Sequence, residues 1–279
     1  MKKIKMIGLL LLLGGCSQLE SLTTELTPTR FLENMPYVRF TFGEVSFVLI
    51  QPSSTFFVYL LGILTILLGV LFLKNHMHQK SRLWWGIGMV LWGIGAIVAG
   101  SSYQAFGYEL KCANRYFCLQ TSWVELLYLV ITIFSMNALL MGMVYRMKNL
   151  RLRRIVAVYA AISSIGYTLW LLKGLWLANA FMVSYEALLI FLSPTILLYF
   201  LSVQGKSKGL DKKLRNTWIY FLLLNLVYFA WLYSGISGIL YHDFKIWLNE
   251  NDILHLLLIV WMVYQYKVLY PNLEDESIK

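Results

Sequence analysis

Apolar residues fall along the chain in runs of about twenty, separated by short polar or charged segments. An α-helix rises about 1.5 Å per residue, so such runs match the roughly 30 Å of hydrocarbon in a bilayer, whereas a strand would need about half as many residues. The pattern therefore predicts an all-α integral membrane protein, a bundle of seven membrane-spanning helices. These spans are predicted at 55–73, 83–103, 123–145, 155–172, 180–202, 217–239 and 252–270.

The chain begins with MKKIKMIGLLLLLGGC, in which a basic start precedes an apolar stretch too short to span a membrane. This segment ends with Leu13, Gly14, Gly15 and Cys16. That ending resembles the lipobox of bacterial lipoproteins. That resemblance implies cleavage by signal peptidase II after residues 1–15 and diacylation of Cys16. An ordinary signal peptide with a fortuitous cysteine is the alternative.

The segment 16–54 is predicted to form a short extracytoplasmic linker that carries the lipid. Its first half is polar and fits a linker or a short helix, whereas 37–50 (YVRFTFGEVSFVLI) partly alternates and predicts an interfacial strand or hairpin. The remainder divides into a membrane domain at 55–271 and a cytoplasmic tail at 272–279.

Positive charge is distributed unevenly among the predicted loops. Three loops contain three, five and five Lys or Arg residues: 74–82, 146–154 and 204–216. The loops that alternate with them contain two, one and one: 104–122, 173–179 and 240–251. Because cytoplasmic loops are enriched in Lys and Arg, the N-terminus is predicted outside the cytoplasmic membrane and the C-terminus inside. The net charge of +10 then reflects membrane topology. Membrane lipids, and not nucleic acid, are the expected partners of the protein.

Two cysteines, Cys112 and Cys118, share the loop between the second and third spans. On the external side, an oxidising compartment favours a disulfide between them. Two free thiols or a weak metal pair are the alternatives, since spacing alone does not establish bond geometry.

The second span contains WGIGMVLWGIG, in which a Trp-Gly-x-Gly pattern recurs after seven residues. Seven residues are about two helical turns, so Gly86, Gly88, Gly93 and Gly95 are predicted on one helix face. Glycines on a membrane helix allow a neighbouring backbone to approach closely.

Charged groups inside spans are costly and therefore point to function. Glu186 is predicted about two turns inside the fifth span, too deep for stabilisation by a helix N-terminus. Glu125 opens the third span, and Asp252 and His255 share a face in the first turn of the seventh. We expect one polar pocket formed by Glu125, Glu186, Asp252, His255, Ser101, Gln104 and Glu109. The alternative for Glu125 and Asp252 is a favourable position in the helix dipole.

A serine at the end of the second span, Ser101, an acid opening the third, Glu125, and a histidine opening the seventh, His255, resemble the pattern of the alkaline ceramidase and progestin and adiponectin receptor superfamily. The resemblance implies a zinc-dependent amide hydrolase on a seven-helix bundle. Members of that family carry a histidine four residues after the serine and His-x-x-x-His on the last helix.

The chain departs from that zinc pattern at several positions. Ala105 follows Ser101 at the spacing of a histidine, and Ile259 follows His255. Catalytic zinc usually has three protein ligands, so the site would need further donors. The candidate metal ligands are His255, Asp252 and His242.

These observations favour a seven-helix protein that binds a small molecule, a lipid or a protein partner through its external half, without catalysis and without a cofactor. A metal-dependent intramembrane hydrolase of a lipid amide is the first alternative. A proton- or cation-coupled transporter that uses Glu186 is the second.

Lipidation of Cys16 is the first testable prediction. A Cys16→Ser variant is expected to retain the mass of its precursor and to incorporate no labelled palmitate, because the acyl acceptor and the cleavage site are both lost. Intact-mass spectrometry and metabolic labelling measure this. Normal processing of the variant would contradict the prediction.

Overall fold

The computed structural model of the protein describes residues 18–203 and 208–275. Within them, seven helices are long and apolar enough to cross a membrane, which confirms the predicted bundle. The helices are α1 (Pro52–Lys74), α2 (Lys80–Ala99), α3 (Trp123–Val144), α4 (Leu150–Trp176), α5 (Tyr185–Ser202), α6 (Lys208–Ser234) and α7 (Glu250–Leu269). The predicted signal peptide and Cys16 lie outside the described residues.

Shorter elements join these spans. A hairpin of antiparallel strands β1 (Tyr37–Phe42) and β2 (Val45–Ile50) precedes α1, where a strand or hairpin was expected. Its two-residue turn begins at Gly43, whose φ of 62° is readily adopted only by glycine. α2 continues into the π-helical segment Gly100–Ala105. Short helices are also described at Pro28–Glu33, Gly107–Lys111 and Ile236–Phe244.

α5 begins later and α6 ends earlier than predicted, because hydropathy does not show where a helix gives way to an apolar loop or turn. α5 begins at Tyr185 and not at 180, and the apolar Met182 before it is buried against Gly174 of α4. α6 ends at Ser234 because Gly235 takes a left-handed φ of 69°, which interrupts the span predicted to reach 239.

α1 and α2 approach each other closely at two glycine pairs. A Cβ atom added to Gly93 would lie 2.6 Å from the carbonyl oxygen of Gly62, and one added to Gly86 would lie 3.0 Å from that of Gly69. The glycines of each helix are seven residues apart, about two turns, so each helix presents its pair on one face. The two backbones therefore pack in direct contact.

The other two glycines of the repeat face α3. A Cβ atom on Gly88 would lie 2.7 Å from the Leu139 side chain, and Ser135 Oγ donates a 2.9 Å hydrogen bond to the Gly88 carbonyl oxygen. A Cβ atom on Gly95 would meet Ile131. The expectation of a single glycine face is therefore wrong. Two residues along a helix rotate the direction by about 200°, so the repeat gives α2 one glycine face for each neighbour.

The remaining helices surround this three-helix unit of α1, α2 and α3. α3 also packs against α4 and α5, and α7 packs against α1 and α6. Interhelical hydrogen bonds join α3 to its neighbours: Asn137 Nδ2 donates to Ser164 Oγ of α4, and Thr195 Oγ1 of α5 donates to Asn137 Oδ1. α6 packs mainly on α7 and only sparsely on α5.

The chain after α7 is docked on the bundle. The Asp275 carboxylate accepts two 2.8 Å hydrogen bonds from the backbone N–H groups of the first two residues of α2. Arg82 Nε donates to the carbonyl oxygen of Leu273 at 2.7 Å. Residues 272–275 of the predicted tail are thus held against the start of α2.

Gly93→Ala is expected to destabilise the purified protein by about 1–3 kcal/mol, because the added methyl group overpacks the α1–α2 contact. The melting temperature in detergent measures the change. Gly166→Ala is the matched control, since a Cβ atom at Gly166 meets nothing within 4 Å. Equal melting temperatures for the two variants would contradict the proposed importance of the glycine contact.

Candidate functional site

The predicted pocket residues lie toward one end of the bundle. This end carries the hairpin, the loop 112–118 and the first residues of α3, α5 and α7, and we call it the hairpin end. The opposite end carries residues 272–275, and we call it the tail end. The contacts of four of the seven, Ser101, Glu109, Glu125 and Asp252, assign each of them a local role.

A disulfide joins Cys112 to Cys118, as predicted. Its loop pairs with the N-terminal segment: the Thr24 N–H donates to the carbonyl oxygen of Cys118 at 2.8 Å, and the Cys118 N–H donates to that of Leu26 at 2.9 Å. Leu22 of the same segment is buried. The disulfide loop and the N-terminal segment together cover part of the hairpin end.

Glu125 is buried and ion-paired in the first turn of α3. Its Oε1 lies 2.7 Å from Nζ of Lys111, which is itself mostly buried. The Glu125 N–H donates to the hydroxyl of the N-cap residue Ser122, which lies 2.8 Å from the hydroxyl of Ser102. Glu125 therefore stabilises the start of α3 and neutralises the charge of Lys111.

Three pocket residues lie at or after the end of the second predicted span, and their contacts are separate. Ser101 Oγ lies 2.9 Å from the Tyr59 hydroxyl of α1. Glu109 accepts a 2.8 Å hydrogen bond from the Val48 N–H, which ties β2 to the following short helix. Gln104 is buried, and its Oε1 has no hydrogen-bond partner among the described residues.

Asp252 acts at the start of α7. Its Oδ2 accepts from the Asn249 N–H while the Asn249 side chain accepts from the Asp252 N–H, which forms a capping box. Asn249 Nδ2 also donates to Gln51 at 3.3 Å, and Trp247 Nε1 donates to Ser54 at 3.0 Å. These bonds join the start of α7 to the start of α1.

Glu186 does not lie two turns inside a span, and that prediction is wrong. Because α5 begins at Tyr185, Glu186 is in the first turn, where its side chain is exposed. An acidic residue in this position is stabilised by the helix dipole without any partner. No hydrogen bond or ion pair between described residues joins Glu186 to the other candidate carboxylates or to the histidine.

The candidate metal ligands are not gathered into a site. His242 is exposed on the short helix Ile236–Phe244. Within 18–203 and 208–275, no three His, Cys, Asp or Glu side chains lie close enough together to hold a metal ion.

Buried polar side chains nevertheless lie together at the hairpin end, in two hydrogen-bonded groups. They belong to the loops and first turns described above and bond to one another or to Lys111 and Trp247. We call this set the polar layer, which consists of Gln51, Ser54, Ser102, Ser122, Glu125, Asn249 and Asp252.

A cavity of about 290 Å³ lies next to the polar layer, toward the middle of the bundle. Six of the seven spans line it, all except α4, and most of the lining side chains are apolar. Representative walls are Leu61 on α1, Trp92 and Ala96 on α2, Met136 on α3, Leu192 on α5, Phe221 on α6 and Leu258 on α7. This size falls near the lower limit of ordinary ligand pockets.

His255 stands out among the lining residues. It lies one turn further into α7 than Asp252, and only 8% of its surface is exposed. Its Nδ1 is buried and receives no hydrogen bond from any described residue. In contrast, the lining hydroxyls of Thr132 and Ser135 donate to backbone carbonyls. Because buried polar groups are normally paired, the imidazole is suited to bond an occupant of the cavity.

The sequence identified His255 but not the rest of the cavity. Asn225 of α6 also lines it, with its Nδ2 donating to the Phe221 carbonyl oxygen of the same helix at 2.7 Å. In the sequence, the apolar residues that line the cavity look the same as residues packed between helices. No local pattern shows whether a side chain contacts a neighbouring helix or faces a cavity.

Comparison of this chain with protein families, with curated proteins and with solved structures found no match.

Lys111→Met is expected to destabilise the protein by on the order of 3 kcal/mol, because it leaves the buried Glu125 carboxylate without its partner. Adding Glu125→Gln should restore most of the loss, since no unpaired charge remains. Melting temperatures in detergent measure both variants, and Lys173→Met at an exposed position is the control. A double variant as unstable as the single one would contradict this role for the ion pair.

Proposed function

We propose that this multi-pass membrane protein binds one small, largely apolar molecule in the cavity, with His255 as its polar anchor. The observation that carries this proposal is the buried Nδ1 of His255, which no described residue bonds, at the wall of a mostly apolar space. A ligand with one hydrogen-bonding group would satisfy the imidazole and fill the void at the same time.

The cavity volume limits the size of the ligand. A dry apolar cavity of about 150 Å³ holds benzene, so a space of about 290 Å³ suits a molecule of about a dozen non-hydrogen atoms. A ten-carbon chain with one polar end has this size. Larger ligands would need the surrounding helices to move.

The lining also limits the charge of the ligand. No Lys, Arg, Asp or Glu is among the described side chains that line the cavity. A charged group would be buried there without a fixed counter-charge, which is strongly unfavourable. A neutral group that donates or accepts one hydrogen bond, such as a hydroxyl or an amide, fits the imidazole better.

The proposal includes a membrane and an orientation. We place the protein in the cytoplasmic membrane of a bacterium, with Cys16 lipidated outside and the C-terminus in the cytoplasm. The alternation of Lys and Arg between the loops supports this orientation, as does the lipobox-like segment before Cys16. The hairpin end would then face the exterior, and the cavity would lie in the outer half of the bilayer.

His255→Leu is expected to weaken binding of 1-decanol about two- to tenfold and to leave binding of decane unchanged, because only the alcohol loses a hydrogen bond of about 0.5–1.5 kcal/mol. Binding is measured as the ligand-dependent rise in melting temperature of the protein in nanodiscs.

His242→Leu, at an exposed position, is the matched control and should bind both molecules like the wild type. Ala96→Phe, which fills the cavity, should weaken both, whereas Ala161→Phe on the exposed side of α4 should weaken neither. The proposal fails if neither molecule stabilises the wild-type protein, or if His255→Leu affects alcohol and alkane equally.

A further inference from the structure

The cavity is closed toward the hairpin end. The polar layer lies there, and its members bond across helices: Asn249 to Gln51, and Ser102 to Ser122. Outside the polar layer, the N-terminal segment is paired with the disulfide loop. A path from this end would have to break several buried hydrogen bonds, each of which is costly to leave unmade.

The cavity is also closed toward the tail end, by four buried aromatic rings that we call the aromatic layer: Trp85, Tyr199, Trp218 and Trp261. Tyr199 and Trp218 stack with ring centroids 3.6 Å apart, and Trp261 lies 6.0 Å from Trp218. On each of their helices these residues lie closer to the tail end than the cavity-lining residues do. Close-packed rings of this kind leave no channel for a molecule of about ten carbons.

The side wall of the cavity is weakest at α6. Only 17% of the apolar window of α6 is buried, against 33–61% for the other six spans. α6 packs on α7 but only sparsely on α5, so the α5–α6 seam has few contacts to hold it shut. Elements with few buried contacts are the ones that open most readily.

Two residues at this seam face both the cavity and the outside of the bundle. Tyr185 of α5 and Leu222 of α6 line the cavity, yet 36% and 40% of their surfaces are exposed. A side chain that touches an internal space and remains exposed lies at an opening of that space. Many exposed side chains of these two spans are apolar, as expected for contact with lipid: Leu197 and Leu201 on α5, and Leu223 and Leu226 on α6.

α5 also contains a break in its backbone hydrogen bonding at the level of the cavity. Pro194 lies inside the helix, between the lining residues Leu192 and Ile196, and has no N–H to donate. The Ile190 carbonyl oxygen accepts instead from the Ser193 hydroxyl at 2.8 Å. This substitution satisfies the carbonyl and leaves α5 easier to bend at the seam.

From these observations we infer that the ligand reaches the cavity sideways from the bilayer, between α5 and α6, so that its chemical class is a membrane-dissolved, single-chain amphiphile with a neutral polar end. This inference rests on the proposed binding function. It adds the route and therefore the source of the ligand, which is the hydrocarbon phase.

The test measures the exchange rate of a ten-carbon primary alcohol with a trifluorinated terminal methyl group, by ¹⁹F NMR of the full protein in nanodiscs. Leu222→Trp should slow exchange between lipid and cavity by about fivefold or more, and Leu222→Ala should accelerate it. Leu226→Trp and Leu226→Ala, on the same helix but 63% exposed and not lining the cavity, should leave the rate unchanged.

Trp247→Ala separates the two routes, because it removes a hydrogen bond from the polar layer. It should not change the exchange rate if the route is lateral. Faster exchange in Trp247→Ala, with no effect of the Leu222 variants, would overturn the lateral route while leaving the binding function in place. Absence of a cavity-bound ¹⁹F signal in the wild-type protein would overturn the binding function itself.

Discussion

The direct contact between the backbones of α1 and α2 is the constraint on which the rest of the bundle depends. In a membrane, helices gain little from hiding apolar surface from lipid, so close packing has to supply the attraction. Gly62 and Gly69 meet Gly93 and Gly86 with no room for a side chain between them. Because α2 uses its opposite glycine face against α3, three helices become one tightly packed unit. α5, α6 and α7 close around this unit with larger side chains, and the cavity lies where the two groups face each other.

Two different kinds of interaction bound that cavity. On the hairpin side, the polar layer is held by directional hydrogen bonds between buried groups, which are costly to break singly. On the tail side, stacked aromatic rings fill space densely. Two of their polar groups donate to backbone carbonyl oxygens, the Tyr199 hydroxyl to Met136 and Trp261 Nε1 to Thr217. Between them, most of the lining side chains are apolar, and their atoms have no contacts across the empty space. An occupant would restore those contacts, so the space favours an apolar ligand even before His255 is considered.

The sequence predicted the features that depend on local composition. Hydropathy was sufficient for seven spans, and the loop position of Cys112 and Cys118 was sufficient for the disulfide. The predictions from sequence failed where packing between helices determines the structure. The residues before Tyr185 form an apolar loop in which Met182 and Val183 are buried, so Glu186 was placed too deep. The relation between the candidate polar residues was equally out of reach, because it depends on how six helices are arranged and not on any spacing along one of them.

Asp252 and His255 illustrate how much a single helical turn decides. The two residues share a face of α7, and the sequence treats them as one candidate pair. Asp252 lies level with the start of α1, where Asn249 and Gln51 provide polar neighbours, and it serves to begin the helix. His255 lies beyond that layer, where most of the lining side chains are apolar and no described residue bonds its Nδ1. A hydrogen-bonding group that the protein leaves unpaired in an apolar void is available for something the protein does not itself contain. The position of the polar layer, and not the identity of either residue, therefore determines which of the two can take part in recognition.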